Sequence, residues 1–145
     1  MDIRLLIASP EADSRDLLYS LLESALKLTC FSVSVAEARD SETLFRRIDE
    51  YKDDVILLDW LMAGAETPEL VGQILEANRK MRVVALLPLN YRQYRQLVWD
   101  AGACNSIPKE YMDQEWLSSI LCVMYRAMQR EARLIEHYES VLCPQ

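Results

Sequence analysis

The chain has 145 residues, enough for one domain with a buried core. Half of them are apolar, and a formal net charge of −7 argues against a general nucleic-acid or membrane-surface binder. A single histidine (His137, read as a surface residue) and four scattered cysteines (Cys30, Cys104, Cys122 and Cys143, with no C-x-x-C pair) argue against zinc and for free thiols in a reducing cytoplasm. Ile3 to Ala8 is nearly all apolar and reads as a first buried strand. Asp13 or Ser14 then precedes a helical face of Leu17, Leu18, Leu21, Leu22, Ala25 and Leu26. Phe31 to Val35 alternates strictly, which suits a strand at a sheet edge. Asp40 or Ser41 is placed to cap a second helix with Leu44, Phe45, Ile48 and Tyr51 inward.

Asp54 to Gly64 organises the rest. Val55-Ile56-Leu57-Leu58 suits a strand buried on both faces, and Asp59 ends it where open α/β sheets place their sites. Thr67-Pro68-Glu69 predicts a helix start: hydroxyl cap, proline in the first turn, acid near the positive dipole end. That helix turns Leu70, Val71, Ile74 and Leu75 inward. Val83 to Leu87 is the fourth strand, stopped by Pro88, and Asn90 is placed to cap a fourth helix carrying Tyr91, Tyr94, Leu97, Val98 and Ala101 up to Gly102. Asn105 to Ile107 makes a short fifth strand, and a last helix starts near Asp113.

Strand and helix thus alternate five times with short connections. The pattern predicts a three-layer α/β domain with a parallel sheet and right-handed crossovers. No linker, repeat or low-complexity segment interrupts it, no apolar run approaches the roughly 18 residues of a membrane span, and Met1 to Arg4 does not look like a signal peptide. Three glycines provide no Gly-rich phosphate loop, and no serine or cysteine shows a nearby base.

Asp59-Trp60-Leu61-Met62-Ala63-Gly64 is similar to the D-x-x-M-P-G phosphoacceptor loop of bacterial response regulator receiver domains. Gly102-Ala103 followed by Lys109 resembles that family's fifth-strand segment. The resemblance spans roughly residues 3 to 125 and implies a CheY-like, flavodoxin-like fold: a five-stranded parallel sheet of order 2-1-3-4-5 flanked by five helices. In such domains the aspartate takes a phosphoryl group from a histidine kinase, beside a magnesium ion and the lysine, and a hydroxyl on strand four reports it. Phosphoryl transfer asks mainly for positioning and charge neutralisation, and magnesium prefers carboxylate oxygens.

The departures are specific. Where the resemblance puts two adjacent metal-binding acids stand Ser9 and Pro10; Leu87 replaces the reporting hydroxyl, Ser106 the moving aromatic, and Glu110 the proline after the lysine. Glu11, Asp59 and Leu61 are the positions left for a metal, and magnesium is not expected. Asp59 with Lys109 is read first as a structural ion pair, because a lone buried charge is costly, and second as a residual phosphoacceptor.

Two surfaces are expected to meet partners. Arg79, Lys80, Arg82, Arg92 and Arg95 lie in an acid-free stretch between Glu76 and Asp100, with Tyr91 and Tyr94 interleaved, and these residue types favour interface hot spots. The resemblance assigns partner contact to helix four, strand five and helix five. Gln114 to Leu142 lacks proline and glycine, so one helix of about 40 Å is expected. Along it Leu117, Leu121, Met124, Met128, Glu131, Ile135, Tyr138 and Leu142 recur at alternating spacings of four and three, a heptad seam broken at Glu131. Leu121, Met124, Met128, Ile135 and Tyr138 are the expected contacts of a homodimer; folding back, or a lead into an output domain, stays open. The expected organisation is a receiver-like domain over residues 1–126 and an extension over 127–145. Its expected function is an atypical, dimeric pseudo-receiver acting through protein partners in the cytoplasm, not an enzyme. The alternatives are a phosphorylatable receiver using Asp59 and, last, a small ligand-binding or catalytic flavodoxin-like domain.

Overall fold

A computed structural model describes residues 2–142. Five parallel strands, β1 (Ile3–Ala8), β2 (Val33–Ala38), β3 (Val55–Asp59), β4 (Arg82–Leu87) and β5 (Asn105–Pro108), form one sheet of order β2-β1-β3-β4-β5. They alternate with α1 (Ala12–Leu26), α2 (Ser41–Glu50), α3 (Thr67–Ala77), α4 (Gln93–Asp100) and α5 (Gln114–Leu142). The expected flavodoxin-like architecture is therefore the observed one, and its last helix is extended.

The period-two geometry of a strand splits the core in two. Val55 and Leu57 of β3 pack with Leu18 and Leu22 of α1 and with Leu117 and Leu121 of α5. Ile56 and Leu58 pack on the opposite side with Leu44, Leu70, Val71, Ile74 and Val98 from α2, α3 and α4. All of β3 is buried, so its closing residue, Asp59, is delivered into the interior.

Several local expectations are corrected. Neither Asp13 nor Ser14 caps α1: the helix starts at Ala12, Glu11 takes the N-cap place without a side-chain bond, and Ser14 is buried inside the first turns. Leu17 faces solvent because the buried stripe of α1 runs Ser14, Arg15, Leu18, Leu22 and Ala25. β2 begins at Val33, paired with Ile3, and Phe31 instead stacks on Tyr125 of α5 with centroids 4.4 Å apart. Tyr51 lies past the end of α2, exposed, its ring under the Arg47 guanidinium at 3.9 Å. Thr67 is the first residue of α3 rather than its cap, and its hydroxyl donates to the Gly64 carbonyl at 2.6 Å. Asn90 does not cap α4, which opens at Gln93 after Arg92 and buries only Val98. Asp40 does cap α2, accepting from the Thr43 amide at 2.7 Å, and that bond holds its carboxyl below the usual aspartate range.

Gly102 closes α4 at φ +113°, a backbone conformation that side chains disfavour and glycine adopts freely. Asp113 starts α5 by accepting from the Trp116 amide at 2.8 Å. The helix then runs unbroken to Leu142, packing through Leu117, Leu121 and Met124 and leaving Leu134, Ile135, Tyr138, Val141 and Leu142 exposed. Leu121 and Met124, expected on a partner face, are thus committed to the domain's own core. Glu131, the break in the seam, pairs with Arg82 at the start of β4. Cys30, Cys104 and Cys122 are free thiols, and Cys143 lies outside the described residues. No helix of the described residues is long and apolar enough to cross a membrane.

Candidate functional site

Asp59 is fully buried at the end of β3, and its carboxylate is met entirely by hydrogen donors. Oδ2 accepts from the Ser9 hydroxyl at 2.7 Å and from Lys109 Nζ at 2.9 Å; Oδ1 accepts from the Leu61 amide at 3.1 Å. Lys109 also donates to Ser14 Oγ at 2.9 Å. Four elements meet at one charge: the turn after β1, the first turn of α1, the loop after β3, and the segment after β5. A buried carboxylate is tolerable only when paired and hydrogen-bonded, and this one is both.

Ser9 is committed on every polar atom. Its amide donates to the Ala38 carbonyl at 3.1 Å, its carbonyl accepts from Arg15 at 2.9 Å, and its hydroxyl accepts weakly from the Glu11 amide at 3.4 Å while donating to Asp59. Arg15 is itself buried and bridges to Glu37 at the end of β2 at 3.0 Å. Burial first, then the Glu37 charge, pushes the neighbouring Tyr19 hydroxyl above its usual range, so it stays protonated. Among the described residues no buried side-chain polar atom lacks a partner.

A divalent metal asks for oxygen acceptors beside Asp59. Ser9 turns its hydrogen toward the carboxylate, Pro10 has no side-chain donor atom, and Glu11 sits exposed at the N-cap of α1, its carboxylate in no hydrogen bond or ion pair among the described residues. Leu61 contributes its amide to Asp59. Among the described residues no three His, Cys, Asp or Glu side chains cluster as ligands. The residues present do not fit a carboxylate-rich magnesium site.

The next residue couples the carboxylate to α4. Trp60, nearly buried, stacks on Tyr91 with centroids 5.1 Å apart and planes at 15°, and meets Tyr94 edge-on at 4.7 Å. Tyr91 and Tyr94, expected to face a partner, therefore spend part of their rings inside the molecule, while Arg92 and Arg95 remain exposed. Glu110 accepts from the Leu89 amide at 3.1 Å, tying the segment after β5 to the one after β4. Leu87 is core, and Ser106 lines a groove of about 490 Å³ between α4 and β5.

Sequence reasoning named Asp59 and Lys109 and missed the roles of Ser14, Arg15, Glu37 and Glu110. Arg15 carried a legible signal: it lies in register with Leu18, Leu22 and Ala25, and a cation on an apolar stripe demands a buried acceptor.

A family model described as the response regulator receiver domain matches residues 10–121. The phosphate regulon transcriptional regulatory protein PhoB of Escherichia coli is 26% identical over 125 residues, covering 85% of this chain and 52% of PhoB. The chain spans about half the length of the curated relatives it matches. A two-component response regulator from Clostridium difficile is similar in structure at TM-score 0.73 and 20% identity, over 87% of this chain and 98% of that one. NtrX from Brucella abortus is similar at TM-score 0.81 and 16% identity, over 99% of this chain and 30% of its own. At these identities the two structures speak to fold alone.

Proposed function

The chain belongs to the response regulator receiver family, and from that premise we propose that it is an atypical receiver that signals by binding proteins without a magnesium-dependent aspartyl-phosphate switch. One observation carries the reading: the Asp59 carboxylate is met by the Ser9 hydroxyl, Lys109 and the Leu61 amide, with no second carboxylate in the set. A charge already neutralised in this way has less to gain from a cation or a phosphoryl group. Leu87 offers no hydroxyl and Ser106 no ring to report such a group.

In this reading residues 1–126 form the receiver unit and residues 127–145 a C-terminal extension. The start of the extension still touches the body through Met128 and the Arg82–Glu131 pair. The module is not an enzyme, works in the cytoplasm, and pairs with a second copy through the exposed part of α5. Arg92, Arg95 and the exposed faces of Tyr91 and Tyr94 serve protein partners. Support for pairing comes from Ile135 and Tyr138, half or more exposed on one face of a helix that continues past the core.

A second reading keeps Asp59 as a phosphoacceptor, with Lys109 at 2.9 Å as the cation that would neutralise an added phosphoryl group. One experiment separates the two. Magnesium is titrated against the fluorescence of the intact chain, in which Trp60 adjoins Asp59, and a small-molecule phosphodonor is then added. The first reading expects no saturable quenching and no added phosphoryl mass at Asp59. Saturation together with a phosphorylated Asp59 peptide favours the second.

A further inference from the structure

We propose that the second copy is received in a particular place: the acidic, apolar end of α5 from one copy docks in the basic groove between α4 and β5 of the other, reciprocally. The inference rests on the α5 pairing proposed above and adds where the helix goes.

The groove is built by small residues on one wall and large ones on the other. Asn105 and Ser106 on β5 leave a space of about 490 Å³ beside α4, whose Arg92, Arg95, Gln96 and Trp99 form the far wall. Trp99 is 62% exposed, more of an indole than a surface position ordinarily leaves in water. Arg92 and Arg95 make no ion pair among the described residues, and the first acid of this helix, Asp100, is taken by Gln96 at 2.7 Å. The wall therefore presents an exposed indole one turn beyond two guanidinium groups, residue types that anchor interfaces.

The end of α5 has the complementary chemistry. From Leu134 to Leu142 the sequence Leu-Ile-Glu-His-Tyr-Glu-Ser-Val-Leu carries two acids and no lysine or arginine. Tyr138 is 68% exposed and stands between Glu136 and Glu139, with Leu134, Ile135, Val141 and Leu142 also in water. The basic residues of α5 stop at Arg133, so the tip differs in sign from the helix behind it. An aromatic set among carboxylates faces an indole that follows two guanidiniums. Steering and register both follow from that match.

The alternative, a seam of two α5 helices side by side, has few contacts to work with. Glu131 occupies the seam and is held by Arg82, leaving Ile135, Tyr138 and Leu142 beyond it. Docking the tip in the groove uses these apolar residues and the charges together. Docked reciprocally, tip to groove twice, the contact closes as a two-fold dimer, whereas a one-way contact repeated from copy to copy would build an open chain.

The test is a charge exchange on the full chain, read by size-exclusion chromatography with light scattering at tens of micromolar and by sedimentation at two salt concentrations. R92E/R95E and E136R/E139R are made separately; all four positions are exposed, and an acid at the start of α4 suits its dipole, so unchanged circular dichroism is expected. The wild type should be a dimer that weakens with salt. Each variant alone should dissociate more easily, by about tenfold or more in the dimer constant. An equimolar mixture of the two should dimerise again, since each groove then meets a tip of opposite sign. A dimer untouched by R92E/R95E overturns the groove and leaves the α5 pairing standing. A mixture that stays monomeric also overturns the groove. A monomeric wild type overturns both, and leaves the tip to some other protein.

Discussion

The two ends of this molecule treat exposed chemistry in opposite ways. At Asp59 every polar atom has found a partner within the chain, and water is excluded. Along the last turns of α5 the apolar side chains have found none. A receiver is built to exchange groups at the first place, yet here that place is closed and the second is open. The proposed function rests on this difference: a signal carried by contact between surfaces more than by chemistry at the carboxylate.

The contrast can be broken most forcefully within α5 itself. Leu117→Ala, fully buried, should cost about 3 kcal/mol of unfolding free energy in urea, whereas Leu134→Ala should change it by about 0.5 kcal/mol or less. Similar losses at both positions would mean that the tip is part of the fold. Next comes Lys109→Met, which strands a buried carboxylate. A loss of about 3 kcal/mol is expected, at the low end for a broken pair because Lys109 is partly exposed. The double variant D59L/K109M should recover most of it, and failure to recover would show that Ser9 and Leu61 matter more than the cation. Ser9→Ala removes one charge-assisted bond and should cost about 1–2 kcal/mol by the same measurement. The smallest effect is the α2 cap. Asp40 has its carboxyl pKa depressed by the Thr43 amide, so its stabilisation is whole above the ordinary aspartate value of about 3.9 and is lost as pH falls through the lower folded value. Melting curves of Asp40→Asn from pH 5 to pH 2 should have a shallower acid limb than the wild type.

Much of the fold was legible because its signals are long-range in pattern. Four apolar residues ending in Asp59, or the glycine-free, proline-free run from Gln114, tolerate one interpretation each. Helix starts were read less well. Ser14 and Thr67 are good caps by type, but the Ser14 hydroxyl accepts from Lys109, a tertiary contact invisible to local rules, and the Thr67 hydroxyl turns back to the Gly64 carbonyl three residues earlier. At the site, Asp59 was readable because it ends a buried strand, whereas Lys109 was readable only through the resemblance of Gly102-Ala103 and Lys109 to the receiver family's fifth-strand segment. The Ser9 role was half-read: it was weighed as a poor metal ligand, whereas its orientation makes it a donor to the carboxylate. Leu121 and Met124 were misplaced for a simpler reason. A heptad has no mark showing where the domain stops and the overhang begins.

The Arg82–Glu131 pair has a mechanical consequence. It pins α5 to the first residue of β4 and leaves about 17 Å of helix beyond the pin, at 1.5 Å per residue. A rigid rod held at such a fulcrum multiplies angle into distance: a tilt of about 10° at the pin sweeps the far end through about 3 Å, given that length. Small rearrangements in the sheet would thus be delivered, amplified, to whatever grips the tip.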